Sequence, residues 1–164
     1  MDMSNPANNP LSTPDPSDAG AGATGSGSAA SMSGSARPRN NREEIDRVET
    51  DILNAVDACG YPPASRFALR VALEEAMVNA FLHGHRGLSE SVPIEVQYAV
   101  SPAEVEVRVT DQGPGFDPGA IADPTSDENL ELPSGRGLML IRAYMTSVEY
   151  EMHGRRIVMK YARP

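Results

Sequence analysis

Residues 111–118 read Asp-Gln-Gly-Pro-Gly-Phe-Asp-Pro, and Ser134-Gly135-Arg136-Gly137-Leu138 follows at the head of an apolar, helix-like run. A carboxylate fixed at the end of a strand and followed by glycine turns suits a purine base. It offers one acceptor, and Gly113 and Gly115 let the backbone approach without a Cβ in the way. Upstream, Glu75-Ala76-Met77-Val78-Asn79 adds a third element. On a helix, positions four apart share a face, so a carboxylate and an amide carbonyl point the same way. Together the three stretches predict a site for a nucleotide and a hard cation.

Each stretch also has a plainer reading. Asp and Gly are common in ordinary turns. Glu75 and Asn79 are also compatible with a solvated helix face, although Val71, Glu75, Asn79 and His83 run as one stripe beside the apolar one. A bare Gly135-Arg136-Gly137 is a weak signal, even though a helix start offers amides and a positive dipole end to phosphates. His83, with Gly84 behind it as a left-handed stop, suits capping of a helix C-terminus better than chemistry.

The chain has 164 residues, 40% of them hydrophobic, enough for one domain with a core and too few for two. Residues 1–40 are dominated by Ser, Gly, Ala, Pro and Asn, with few large apolar side chains. Such a segment cannot bury enough surface to offset the entropy of ordering, so the reading is a disordered tail at 1–40 and a folded domain at 41–164. No basic start precedes an apolar region and no stretch has membrane-spanning length, so a cytoplasmic protein without a membrane partner is expected. The net charge of -9 argues against nucleic acid as a partner. An acidic protein binds nucleotide through backbone amides and a metal. Cys59, the only cysteine, excludes an internal disulfide and reads as a small buried side chain near a helix end.

Periodicity gives the elements. Asn41 and Glu44 read as a capping box, followed by Ile45, Val48, Ile52 and Val56 at helical spacing up to Gly60-Tyr61-Pro62-Pro63. A second helix is expected from Ser65 to Leu82, with Phe67, Val71, Val78 and Leu82 on its apolar stripe. Alternation marks strands at 92–100 and 105–110, joined by a turn at Ser101-Pro102-Ala103-Glu104. After an acidic loop at 112–133 come a helix near Leu138–Tyr144 and two strands near 148–152 and 157–161. The order suggests an α+β fold, one sheet with helices over one face and the nucleotide between the layers.

In this order and spacing, residues 42–162 resemble the GHKL (Bergerat-fold) ATP-binding domains, and most of all the anti-sigma-factor serine/threonine kinases of bacterial partner-switching systems. Glu75-Ala76-Met77-Val78-Asn79-Ala80 with His83 looks like the N box, Asp111-Gln112-Gly113-Pro114-Gly115-Phe116 like the G1 box, and Gly135-Arg136-Gly137-Leu138 like G2. The resemblance implies a two-layer α/β sandwich with helices on one face of a mixed sheet, and ATP and Mg²⁺ as cofactors. It implies Glu75 as general base, Asn79 as the metal-binding residue, and Asp111 as the reader of adenine. Gly113, Gly115, Gly135, Arg136, Gly137 and Leu138 would complete the ATP pocket, and 117–134 would be its lid. The family commonly has Thr in the final strand near the adenine-reading Asp, where Val158 is placed here, with one potential hydrogen bond lost.

No helical hairpin with a phosphoacceptor is readable before Asn41, as a histidine kinase would need, and no sequence remains for the extra domains of gyrase-like ATPases. The expected function is therefore a serine/threonine protein kinase acting as an anti-sigma regulatory factor. Its partners would be a sigma factor and a small antagonist protein, and a homodimer is implied. The alternative is a non-catalytic ATP-binding module that sequesters a partner.

Overall fold

The computed structural model of the chain describes residues 30–117 and 133–164. Residues 1–29 and 118–132 lie outside them, and with them most of the expected tail and lid. The elements are β1 (Met32–Ala36), α1 (Arg42–Ala58), α2 (Pro63–Asn79) with a π-helical turn Ala80–Gly84, β2 (Glu95–Val100), β3 (Glu104–Thr110), α3 (Pro133–Tyr144), β4 (Ser147–Glu151) and β5 (Arg156–Ala162). Five strands form one sheet in the order β1-β2-β3-β5-β4. Helices cover one face of it, as the α+β reading requires. The expected mixed sheet is antiparallel at every pairing among the described residues. The reason is topological: the crossover from β3 through α3 skips a position, and the β4–β5 hairpin places β5 in the gap, antiparallel to both neighbours.

Strand alternation decides what faces the helices. Val96, Val109, Ile157 and Tyr150 are in register across four strands and join the core. The next register row, Gln97, Arg108, Val158 and Glu149, lies on the opposite face, where Glu106 pairs with Arg108 and with Lys160. The hairpin at Ser101 forms as read: its hydroxyl accepts from Glu104 N–H at 3.0 Å. No helix among the described residues is long and apolar enough to cross a membrane.

Three details depart from the sequence reading. First, folded structure begins before residue 41, because β1 pairs with β2 from Met32↔Val100 to Ala36↔Val96. An edge strand is recruited by backbone hydrogen bonds and needs few large side chains, so a low-complexity composition conceals it. Gly34 is part of the reason it fits: a Cβ there would lie 2.6 Å from the Tyr98 ring. Second, the capping box closes further back. Asn41 Oδ1 accepts from Glu44 N–H at 2.9 Å, while the Glu44 carboxylate accepts from Arg39 N–H at 2.7 Å rather than from Asn41. Hydrogen bonds from Arg39 hold that carboxyl down to about 2.

Third, α2 buries a different face. Ala68, Leu69, Ala72, Leu73, Ala76 and Met77 are buried, whereas Phe67, Val78 and Leu82 are 59%, 39% and 62% exposed. The backbone neighbours α2 approaches most closely are α3 and then α1, and the small side chains leave room for that approach. A pattern weighted by large side chains assigns them little and selects the wrong stripe.

Replacing Gly34 by Val is expected to displace Tyr98 and cost about 1–3 kcal/mol, the usual scale of overpacking. Val in place of the exposed Ser33 should be tolerated, and urea unfolding of both variants compares them.

Glu49 sits buried on α1, and its Oε1 has no hydrogen-bond partner among the described residues. Burial, and then the charge of Glu74, raise its carboxyl above the ordinary range. A raised carboxyl opposes folding while ionised, and the penalty is relieved as pH falls through the raised value. Glu49→Met should therefore raise the melting temperature at neutral pH, by an amount corresponding to about 1–3 kcal/mol. The gain should shrink on acidification; thermal scans across pH 4–8 check this.

Candidate functional site

A cavity of about 410 Å³ opens between the α2 end, the end of β3, α3 and the β4–β5 turn. Its volume lies in the range of small-molecule sites. Asn79, His83, Asp111, Gly115, Leu138 and Ile157 are in its wall. The α2, post-β3 and α3 segments, far apart in sequence, thus meet at one place.

Asp111 is the first residue after β3, and its N–H donates to Arg155 O at 2.9 Å, which fixes the strand end against the β4–β5 turn. Its Oδ1 accepts from Gly113 N–H at 2.8 Å, the Asx-type contact that closes the turn. Asp111 is only 8% exposed. Burial pushes its carboxyl up, opposed by the Gly113 N–H and by the nearby His85 and Arg155.

Close packing explains two glycines. A Cβ on Gly84 would lie 2.6 Å from Asp111 Cβ and strike its carboxylate, and one on Gly113 would overlap Gly84 O. Gly84 is thus not the expected left-handed stop; the positive φ of 83° belongs to Gly87. The helix runs on through Gly84 as a π turn, closed by His85 N–H donating to Ala80 O at 2.9 Å. His83 is in the last turn of that helix and also lines the cavity.

His85 is a site residue that the sequence reading missed. It is 6% exposed, its ring stands edge-on to Phe81 at 5.6 Å, and its Nε2 accepts from Gln112 N–H at 3.0 Å. The turn after Asp111 is therefore held from α2's side as well. No spacing rule marks a histidine for this role; only its pairing across 27 residues does.

Glu75 and Asn79 meet α3. A Cβ on Gly137 would strike Glu75 Oε2 and lie 3.3 Å from Asn79 Nδ2, so the glycine lets α3 cross the polar pair. Asn79 lines the cavity, whereas Glu75 is not in its wall. Gly135, Arg136 and Gly137 lie inside the first turns of α3 rather than in a loop before it. Arg136 is exposed, while Leu138 and Ile141 anchor the helix in the interior. Gly115, at φ 79°, passes against His153 O, and Phe116 N–H donates to that same oxygen at 2.9 Å. Gly113 is not in the wall.

Val158 requires a correction. It is on the sheet face opposite the helices, and the β5 residue in the cavity wall is Ile157, paired with Val109. Period-two alternation makes a shift of one residue a change of face.

No cluster of three or more His, Cys, Asp or Glu side chains able to hold a metal occurs among the described residues. A cation here would need ligand oxygens from a bound nucleotide besides Asn79, which is how Mg²⁺ is commonly held.

Residues 35–161 match the family model of the histidine kinase-like ATPase domain. None of the curated proteins compared with the chain matches it.

Gly84→Ala should force Asp111 out of its seat. The expected loss is about 1–3 kcal/mol of stability, read by urea unfolding, with a change in the Asp111 and Gln112 amide resonances by NMR.

Proposed function

Because the chain belongs to the histidine kinase-like ATPase domain family and is therefore an ATP-binding domain of kinase-like ATPase type, we propose that it transfers the γ-phosphoryl group of ATP to a serine or threonine of a small partner protein. In this reading the Asp111 carboxylate accepts from the adenine amino group. Gly113 and Gly115 keep the base edge clear of Cβ atoms. The Asn79 amide oxygen holds Mg²⁺ together with the phosphates, and the ion would offset phosphate charge. The partner's hydroxyl oxygen attacks the γ-phosphorus, the bond to the ADP oxygen breaks, and the hydroxyl proton passes to Glu75.

The observation that carries this reading is the contact of Gly137 with both Glu75 and Asn79 beside the Asp111 cavity. It brings a carboxylate, an amide and a glycine-bearing helix start together beside a nucleotide-sized space, as this reading requires. A sigma factor or its antagonist is the partner that the sequence resemblance favours, acting in the cytoplasm on a homodimer of this chain. A second reading, a nucleotide-loaded module that only sequesters its partner, is favoured by one observation: Glu75 is not in the cavity wall.

Two substitutions separate these readings. Asp111→Asn should weaken ATP binding, since a hydrogen bond to a charged group contributes about 1.5–3 kcal/mol and a neutral one about half of that. Glu75→Gln should bind ATP nearly as the parent chain does but lose a factor of about 10² to 10⁴ in transfer rate. Calorimetry and transfer of labelled phosphate to candidate antagonist proteins provide the measurements. No label transfer by the parent chain, with ATP binding intact, would favour the sequestering module.

A further inference from the structure

The stripe that α2 leaves in solvent is the largest feature the nucleotide site does not use. Phe67, Val71 and Val78 lie within about 40° of one another at 100° per residue, and Leu82 continues the line in the π turn. Phe67 and Leu82 are 59% and 62% exposed, and Val71 is half-buried. Tyr144 of α3 stands edge-on to Phe67 at 6.0 Å, and Leu140 of α3 is 38% exposed. Helix α2 is thus apolar on two faces, one on the sheet and one with no covering layer among the described residues. Exposed apolar ridges of this kind mark interaction sites.

We propose that this ridge docks a basic amphipathic helix of another protein. Its own pattern defines the occupant. Phe67 and Leu82, and likewise Val71 and Val78, are placed symmetrically about the Glu74–Glu75 peptide. A second copy packed antiparallel would match the apolar pairs, Phe67 on Leu82 and Val71 on Val78. It would also bring Glu74 and Glu75 of both copies together at the two-fold axis. Arg42 reaches Glu74 at 3.5 Å and Arg70 is also on the α1 side, but Arg42 is shared with Asp46, so Glu74, Glu75 and Asp46 outnumber the two arginines around the centre of the ridge. A helix with apolar residues at i, i+4, i+11 and i+15 and Lys or Arg at i+7 and i+8 meets the anchors and the carboxylates at once. The inference does not depend on phosphoryl transfer and goes beyond the function proposed above.

The test uses the full chain and two labelled synthetic helical peptides, with Leu at the four apolar positions and either Arg or Glu at i+7 and i+8. Fluorescence anisotropy should show the Arg peptide binding and the Glu peptide binding at least roughly tenfold more weakly. Phe67→Ser and Leu82→Ser should each weaken the Arg peptide by roughly tenfold with ATP affinity unchanged. Glu74→Lys should reverse the preference between peptides. Equal binding of both peptides, binding of neither, or insensitivity to both Ser variants overturns the proposal. So does concentration-dependent dimerisation of the parent chain that Phe67→Ser abolishes, which would assign the ridge to a second copy.

Discussion

The seat of Asp111 is the contact on which the site's architecture depends. Neither Gly84 nor Gly113 has room for a Cβ, the first because the Asp111 side chain fills the space and the second because Gly84 O does. Into that junction the end of β3 delivers a carboxylate held by Gly113 N–H, while Arg155 O receives the Asp111 N–H and His85 receives the Gln112 N–H. Burying a carboxylate is costly unless hydrogen bonds compensate, and here they come from the turn itself. The same bonds tie α2's π turn, β3 and the β4–β5 turn into one unit. A ligand group reaching Asp111 therefore meets an acceptor whose position is already fixed, with little ordering left to be done on binding.

Helix α3 is held differently. It contains two glycines in its first turns, each of which weakens a helix by about 1 kcal/mol relative to alanine. Its attachment comes from Leu138 and Ile141 in the interior and from the crossing of Gly137 over Glu75 and Asn79. The polar pair on α2 and the start of α3 are thus in direct contact. Helix α2 serves three surfaces at once: its alanine and leucine face lies on the sheet, its Asn79 end lines the cavity, and its outer ridge faces solvent.

Much of the fold and the site was legible in the sequence because it rests on local rules. Asn41 caps α1 through its own side chain. Val-Glu-Val-Arg-Val at 105–109 alternates as a half-buried strand must. Asp111, Asn79, Gly115 and Leu138 line one cavity, as their motifs require. Their placement follows from residue type and spacing, and all four fall within the family match over 35–161.

What the sequence by itself determined, then, is the order of the three helices and of β2 to β5, and the carboxylate and amide that meet at the cavity. Tertiary structure decided the rest, wherever an outcome depends on a distant neighbour. The strand at 32–36 exists because β2 offers an open edge and Tyr98 needs the space above Gly34. Ile157 rather than Val158 faces the cavity because β5's register against β3 sets its face. His85 becomes part of the site because the chain returns after 27 residues to give it a donor. Small side chains won the buried face of α2 because the helix packs close to α3 and α1, leaving Phe67 and Leu82 outside. Local periodicity reports that a side chain is apolar, and only packing across the chain decides whether it is covered.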